Sequence, residues 1–448
     1  MGRTPRGCEA SIIRRRLEVN DPLSFYLGAV LLEFGGMNDI FTMVLAGGKG
    51  ERLFPLTEQR AKPAVPFGGK YRIIDFTLSN CLNSGLRKIA VLIQYKSHSL
   101  DRHIRIGWNV LNAELGEYIA AVPPQQRISE DWYRGTADAV YQNMFLLDSE
   151  QPEFLLILAG DHIYKMNYAE MYYWLIAKQA DAVVGAIDIP IHDASRFGVI
   201  SVDEDYRIVG FDEKPAQPTA LPHDPTHAFG SMGIYLFRTK AIRAYLMADA
   251  QNAGAHDFGK NIIPKMIEQG RVYAFKFQDA NKKAVQYWRD IGTLDAYWEA
   301  NMDLVAVDPQ FNLYDPDWPI RTYQGQYPPA KFVFAQDYEG GRMGVALDSI
   351  VCGGCIVSGA RVHNSVLSPN VRVLDHADVR ESILMENVNI GAHSRIRRAI
   401  IDKDVTIPPY TEIGYNRDDD ARKFTVTDSG LVVISKGMKL HAAVDSSG

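Results

Sequence analysis

Short apolar runs alternate with helical segments along the first two thirds of the chain. The apolar runs, with the length of buried strands, cover residues 41–45, 89–93, 154–158 and 182–186. Helical periodicity marks residues 76–84 and 168–179. The alternation predicts an α/β domain with a doubly wound, Rossmann-like and mainly parallel sheet, whose ligands bind at the carboxyl ends of the strands.

The pattern changes from residue 346 onwards. Apolar β-formers recur about every six residues, as at Ile350, Ile356 and Val362, with Gly, Asn and Asp between them. This period is typical of a left-handed parallel β-helix of about four coils, and a series of short antiparallel strands is the alternative. The open end or flank of so short a helix needs covering, which favours self-association.

These patterns divide the chain into four parts. They are an N-terminal extension (1–36), a catalytic domain (37–306), a connector rich in Pro, Asp and Tyr (307–345), and the β-helix with its C-terminal tail (346–448). We expect the extension to be disordered, or the native chain to begin at Met37. A secretory segment at 25–34 is the alternative, although no clean small-residue cleavage site follows it.

Composition narrows the class of protein. The 448 residues are 46% hydrophobic and 23% charged, which excludes a disordered or fibrous chain. Net charge is −6, so general binding to nucleic acid is not expected. The four cysteines are too few for a disulfide scaffold, and no apolar run has the length of a membrane span, which together favour the cytoplasm. Cys352 and Cys355 lack a second ligand pair, so a tight turn explains them better than zinc does.

A glycine-rich loop follows the first predicted strand. Residues 47–53 read Gly-Gly-Lys-Gly-Glu-Arg-Leu, which fits neither the dinucleotide fingerprint nor the P-loop. Glycines let a backbone approach phosphate closely, and Arg52, Arg60 and Lys62 add cations suited to a triphosphate. From the residues alone, a phosphate-binding loop and a glycine turn beside solvated cations are equally good interpretations.

Residues 47–53 and 61–66 (Ala-Lys-Pro-Ala-Val-Pro) resemble the nucleotide loop of sugar-1-phosphate nucleotidyltransferases. Later motifs resemble the bacterial glucose-1-phosphate adenylyltransferase (ADP-glucose pyrophosphorylase) family. They are Phe-Gly-Gly-Lys-Tyr-Arg-Ile-Ile-Asp-Phe at 67–76, Trp-Tyr-Arg-Gly-Thr-Ala-Asp-Ala-Val at 132–140, Gly-Asp-His-Ile-Tyr at 160–164, Phe-Asp-Glu-Lys-Pro at 211–215, Ser-Met-Gly-Ile-Tyr at 231–235 and Tyr-Trp-Arg-Asp-Ile-Gly-Thr at 287–293. The resemblance runs from about residue 42 to the C-terminus.

The resemblance implies a reaction and its metal. ATP and α-D-glucose 1-phosphate would give ADP-glucose and diphosphate, the committed step of glycogen biosynthesis. Asp161 and Asp290 match the carboxylates that bind Mg²⁺, a hard cation that prefers oxygen ligands. Without the resemblance, two unrelated loop aspartates would be the better interpretation. We expect His162 to shape the loop, because the attacking sugar phosphate is already an anion and needs no general base.

The resemblance also assigns the substrate contacts. Lys214 matches the lysine that holds the sugar phosphate, and Arg52 and Lys62 match the cations that bind the departing diphosphate. With Asp161, these three form the predicted catalytic set. The remaining predicted substrate contacts are Gly47, Gly48, Tyr133, Gly198, Glu213, Ser231 and, for adenine, Gln126. Taken alone, the Glu-Lys-Pro motif would be a surface turn and Tyr133 a half-buried core residue.

Members of this family are allosteric homotetramers. Arg60, Arg72 and Arg397 or Arg398 match cationic positions between the two domains that bind effectors, and solvated surface arginines are the alternative. The resemblance implies an anionic inhibitor such as AMP, ADP or phosphate. Gln59 replaces a lysine of the enteric enzymes, whose activator is fructose 1,6-bisphosphate. We therefore expect a less charged activator, such as fructose 6-phosphate or pyruvate.

Three other functions remain open from the sequence. The enzyme could use a nucleotide with another base, the chain could be a non-catalytic regulatory subunit, or the β-helix could transfer acyl groups. Retention of Arg52, Lys62, Asp161 and Asp290 argues against the regulatory subunit. The short β-helix argues against acyl transfer.

Overall fold

The protein is described here from a computed structural model that covers residues 36–48, 50–125, 132–221 and 224–440. Two predictions fall outside these ranges: the state of residues 1–35 and the role of Gln126. Within the described ranges, no helix has both the length and the apolar character that crossing a bilayer would require.

Strands and helices alternate in the N-terminal domain, as predicted. The strands are β1 (Ile40–Ala46), β2 (Pro66–Phe67), β3 (Tyr71–Arg72), β4 (Lys88–Ile93), β5 (Tyr118–Val122), β6 (Phe154–Ala159), β7 (His162–Tyr164), β8 (Ala182–Pro190), β9 (Gly198–Val202), β10 (Ile208–Glu213), β11 (His227–Arg238), β12 (Val272–Lys276) and β13 (Trp288–Asp290). The α-helices are α1 (Ile73–Asn83), α2 (His98–Gly107), α3 (Thr136–Gln142), α4 (Met144–Glu150), α5 (Tyr168–Ala177), α6 (Thr239–Ala250), α7 (Ile263–Gln269) and α8 (Leu294–Asp303). All four predicted strands and both predicted helices are present, and most are longer or shifted by a few residues.

Nine strands of the described chain form the central sheet, in the order β10-β9-β11-β6-β1-β4-β5, with β8 also paired to β11 and β12 paired to β8. β1 runs parallel to β4 and β6, and β4 runs parallel to β5. β11 is antiparallel to β6, β8 and β9. The sheet is therefore parallel in one half and mixed in the other. The sequence predicted mainly parallel strands, and this is wrong for the second half of the sheet. There, short connections such as that from β9 to β10 join neighbouring strands without a crossover helix, so the strands run antiparallel.

The C-terminal domain is the predicted left-handed β-helix, a prism of three sheets that are parallel except at one terminal strand. Its sheets run β14-β17-β20-β23-β26, β15-β18-β21-β24-β27 and β16-β19-β22-β25-β29-β28. The strands are β14 (Lys331–Val333), β15 (Val345–Leu347), β16 (Ile350–Val351), β17 (Ile356–Ser358), β18 (Arg361–His363), β19 (Val366–Leu367), β20 (Arg372–Val373), β21 (Asp378–Arg380), β22 (Ile383–Leu384), β23 (Asn389–Ile390), β24 (Arg395–Arg397), β25 (Ala399–Ile401), β26 (Thr406–Ile407), β27 (Glu412–Ile413), β28 (Thr425–Val426) and β29 (Val432–Ile434), and α9 (Arg417–Lys423) lies between β27 and β28. Inward-facing residues such as Val362, Val379 and Ile396 lie above one another and are fully buried.

The two domains share one hydrophobic cluster. Phe67 and Tyr297 of the first domain belong to it together with Ile383 of the β-helix. Trp298 in α8 donates a hydrogen bond from Nε1 to the carbonyl oxygen of Glu381 at 2.8 Å. β14 lies in the segment predicted as a connector and pairs with β17, so the connector contributes the first strand of the prism.

Candidate active site

A cavity of about 1180 Å³ opens at the carboxyl ends of β1 and β6. Gly47 and Gly48 follow β1, and Asp161 follows β6. Because β1 and β6 are adjacent and parallel, the loops that follow them emerge at the same edge of the sheet. The buried apolar strands thus fix the positions of the first polar groups of the cavity.

The glycine-rich loop is held against Lys62. Gly50 adopts a left-handed conformation (φ 65°), and a Cβ there would lie 3.1 Å from the Cβ of Lys62. The Thr57 hydroxyl donates a hydrogen bond to the Gly50 carbonyl oxygen at 2.9 Å. Gly50 is required both for this backbone conformation and for the close approach of Lys62.

Lys62 lies between two carboxylates that are distant in sequence. Its Nζ is 2.8 Å from Oδ2 of Asp161 and 2.8 Å from Oδ1 of Asp290. Burial lowers the pKa of Lys62, but Asp161 and Asp290 outweigh burial and raise it above its usual value. Burial raises the pKa of Asp161, and Lys62 with His162 outweighs that effect and lowers it. The cluster is therefore ionised, with one cation between two anions.

A two-stranded ladder brings Asp290 to this place. β13 pairs antiparallel with β7, with Asp290 opposite His162. The His162 ring packs edge-on against Trp288 at 4.8 Å between centroids, and its Nε2 lies 3.5 Å from Oδ1 of Asp161. This packing supports the prediction that His162 shapes the loop.

The same residues fit a hard cation. Ligand atoms of Asp161, His162 and Asp290 lie within 4.8 Å of one another. Two carboxylates without sulfur form the donor set that magnesium prefers. The ammonium group of Lys62 between the two carboxylates shows that the position attracts positive charge.

Glu213 and Lys214 lie across the cavity, at the end of β10. A Cβ on Gly198 would lie 3.0 Å, and one on Gly259 2.8 Å, from Oε2 of Glu213. The Glu213 carboxylate therefore fits only because two glycines face it. Lys214 Nζ is 3.5 Å from Oε1 of Glu213, and its side chain is 63% exposed, so the ammonium group is free to meet an anion.

Tyr133 and Ser231 complete the predicted sugar contacts. Asn143 donates a hydrogen bond from Nδ2 to the Tyr133 hydroxyl at 2.9 Å, which fixes the ring. Burial raises the pKa of Tyr133, so the phenol stays protonated. Ser231 lies beside an irregularity in the pairing of β11 with β8, which aims this part of the strand into the cavity.

The structure thus brings most of the predicted substrate and metal residues together. Eleven predicted residues line the cavity: Gly47, Gly48, Arg52, Lys62, Tyr133, Asp161, Gly198, Glu213, Lys214, Ser231 and Asp290. Sequence reasoning missed Gln94 and Asp257, which also line it. Gln94 follows β4 as Gly47 follows β1, and that signal could have identified it. Asp257 accepts a hydrogen bond from the Thr136 hydroxyl at 2.9 Å, a contact between distant segments without a sequence signal.

The predicted effector arginines separate into two pairs. Arg60 and Arg72 line a second cavity of about 1000 Å³ between the domains. Arg60 is buried, and its Nη2 lies 2.9 Å from both carboxylate oxygens of Asp402. Arg397 lies on the outer face of the β-helix, 3.8 Å from Glu381. Arg398 donates a hydrogen bond to Ser429 and lies over the Trp298 ring; neither Arg397 nor Arg398 lines the cavity.

Comparisons with known proteins agree with this geometry. The nucleotidyl transferase family model matches residues 41–306, and the model of the GlmU-like C-terminal hexapeptide matches residues 328–434. The glucose-1-phosphate adenylyltransferase of Rhodopirellula baltica is 56% identical over 92% of this chain and 93% of its own length. Those of Koribacter versatilis and Methylococcus capsulatus are 55% and 53% identical, over 90% and 89% of this chain and 97% and 94% of their own lengths. The chain therefore belongs to the glucose-1-phosphate adenylyltransferase family.

Proposed function

We propose that this protein transfers the adenylyl group of ATP to α-D-glucose 1-phosphate, forming ADP-glucose and diphosphate for glycogen synthesis. The observation that carries the proposal is the Lys62–Asp161–Asp290 cluster at the glycine-rich loop, facing Lys214 across one cavity. A regulatory subunit that had lost catalysis would have no use for this set of charges.

The residues act by position and charge. The phosphate of glucose 1-phosphate binds Lys214, and the sugar hydroxyls donate hydrogen bonds to Glu213. The triphosphate lies along the glycine-rich loop, where Arg52 and Lys62 stabilise the negative charge on the departing diphosphate. An oxygen of the sugar phosphate attacks the α-phosphorus in line, so no side chain is needed as nucleophile or base.

Asp161 and Asp290 would hold Mg²⁺, which neutralises phosphate oxygens when it is bound. The Lys62 ammonium group lies between the two carboxylates and compensates their charge.

The test is diphosphate release from the purified chain with Mg²⁺, glucose 1-phosphate and each nucleoside triphosphate in turn. Release of diphosphate with ATP alone supports the proposal. Release with another nucleoside triphosphate instead would mean that the enzyme uses a nucleotide with a different base. An acyl-CoA turnover assay should show nothing. Absence of release with every triphosphate would indicate a regulatory subunit.

We also propose that the cavity between the domains is an effector site. Arg60 and Arg72 line it, as the resemblance implied, and solvent can reach it. Fructose 6-phosphate or pyruvate would activate, and AMP, ADP or phosphate would inhibit. Arg397 and Arg398 lie away from this cavity, so a role for them would need a different contact.

Assembly and location are part of the same proposal. We propose a homotetramer, because the β-helix has exposed apolar residues such as Phe332 and Leu347. Cys81, Cys352 and Cys355 are free thiols, which supports a cytoplasmic enzyme. A catalytic domain over 37–306 is also part of the proposal, whereas the connector predicted over 307–345 ends before β14, the first strand of the prism.

A further inference from the structure

The cavity between the domains has two chemically different walls. The catalytic domain contributes the cations Lys70, Arg72 and Arg102. The β-helix contributes the carboxylates of Glu386 and Asp404, together with lysines. A ligand that spans the cavity therefore meets an excess of positive charge at one end and, at the other, the carboxylates Glu386 and Asp404 balanced by Lys403 and Lys436.

Arg72 is the cation best placed to anchor an anion. Its Nη1 donates hydrogen bonds to the carbonyl oxygen of Ser99 at 3.0 Å and to its hydroxyl at 2.9 Å. In the described part of the chain, no carboxylate lies within ion-pair distance of this half-buried guanidinium group. Burial lowers the pKa of Arg72, as expected for a desolvated charge without a direct counter-ion. One phosphate group on the ligand would supply the missing negative charge.

Arg60 contrasts with Arg72. It lies at the same cavity, but its guanidinium group is already bound by the Asp402 carboxylate and its side chain is 5% exposed. Binding a second anion there would require that buried pair to separate, which is costly. Arg60 therefore adds little to the charge available to a ligand.

Glu386 faces the cavity from the β-helix. Its carboxylate accepts hydrogen bonds from the Tyr327 hydroxyl at 2.6 Å and from Lys403 Nζ at 2.6 Å. Burial raises the pKa of Glu386, but Lys403, Tyr327 and Arg72 outweigh burial and hold it below the usual value. The group is therefore a fixed negative charge, and it also neutralises Lys403.

We propose that Glu386 is a specificity-determining residue, which makes this cavity favour sugars with one phosphate over sugars with two. The phosphate binds at Arg72, and the opposite end of the sugar donates hydroxyl hydrogen bonds towards Glu386. A second phosphate at that end would face the carboxylate at short range, and like charges so placed weaken binding. Gln59 and Pro66, which also line the cavity, bring no compensating cation. The inference deepens the proposed effector site and rests on it.

The test is calorimetric binding of fructose 6-phosphate and fructose 1,6-bisphosphate to the full chain, without ATP or glucose 1-phosphate. The two probes differ by one phosphate. For the wild type we expect the monophosphate to bind at least as tightly as the bisphosphate. Glu386→Gln should tighten the bisphosphate about tenfold and change the monophosphate less than about threefold. Glu386→Asp, which keeps the charge, should retain the wild-type ratio.

Glu412→Gln is the matched control. Glu412 is also paired with a cation, Arg395, but lies on the outer face of the β-helix. Its loss should leave the binding ratio unchanged. An equal ratio for wild type and a folded Glu386→Gln variant would overturn the inference, and so would failure of both sugars to bind the wild type. Because binding is measured without catalysis, a chain that binds with the expected ratio but makes no ADP-glucose would contradict only the proposed reaction.

Discussion

The charged side chains of the two cavities are compensated in opposite ways. In the catalytic cavity, one lysine compensates two carboxylates, and all three groups are reachable from solvent. In the cavity between the domains, the compensated pair of Arg60 and Asp402 is buried, while no carboxylate among the described residues forms an ion pair with Arg72. The first arrangement suits an exchange of cations during turnover, and the second suits capture of an anion.

Both arrangements depend on one short segment. Arg60 contacts the β-helix, and Lys62, two residues later, contacts the catalytic carboxylates. Ala61 between them is fully buried, so this segment is packed tightly between its two sets of partners. Residues that are neighbours in the sequence therefore serve different sites, and proximity along the chain does not predict a shared function.

The largest effect is expected in the catalytic cavity. Asp161→Asn removes one of the two charges that we propose hold a divalent cation, and we expect kcat to fall about a thousandfold. Circular dichroism should show an unchanged fold, because the side chain keeps its shape. Asp205→Asn is the control, since Asp205 forms an exposed pair with Lys178 and should keep full activity. A near-normal kcat for Asp161→Asn would exclude the assignment.

The second effect tests the buried pair. Arg60→Met leaves Asp402 buried without a counter-ion, so the free energy of unfolding should fall by about 3–5 kcal/mol. Urea denaturation measures it. Arg395→Met, which breaks an exposed pair with Glu412, should cost less than about 1 kcal/mol.

A double variant controls for the loss of side-chain packing. Arg60→Met with Asp402→Leu should recover most of the stability, because no buried charge is left unpaired. If the single variant were as stable as the wild type, the pair would not hold the domains together as the structure indicates.

For a physical reason, the sequence predicted which residues would lie together in the cavity at the glycine-rich loop. Its residues follow strand ends, and strand ends of one parallel sheet meet at one edge, so Gly47 and Asp161 had to converge. The motif around Glu213 and Lys214 predicted the residues on the opposite wall of this cavity. The contact of Lys62 with Asp290 could not be foreseen, since it depends on the pairing of β7 with β13, which are separated along the chain by strands β8 to β12.

The cavity between the domains was predicted less completely. It depends on how the prism packs against the first domain, and no local pattern encodes that packing. Arg72 and Arg398 matched similar family positions, yet only Arg72 lines the cavity. No sequence pattern identified Asp402 as the buried partner of Arg60, because Asp402 lies in a β-helix turn like many others.

A third test separates binding from chemistry in the catalytic cavity. Lys214→Ala removes the charge proposed for the sugar phosphate, so KM for glucose 1-phosphate should rise about tenfold to hundredfold. KM for ATP should change less than about threefold. Steady-state kinetics with each substrate varied in turn measures both constants. Lys240→Ala, on the exposed surface of α6, is the control, and an equal rise in both constants would refute the role of Lys214.

The smallest expected effect is that of pH on the stability that the Lys62 cluster contributes, which should be nearly absent. The pKa of Asp161 is lowered from 3.8, so its contribution to stability is lost only as pH falls below that value. The pKa of Lys62 is raised from 10.5, so its contribution is lost only as pH rises beyond that value. The difference in melting temperature between the wild type and Lys62→Met should therefore be constant from about pH 5 to about pH 9. A slope within that window would contradict a cluster whose charges stay fixed between these two limits.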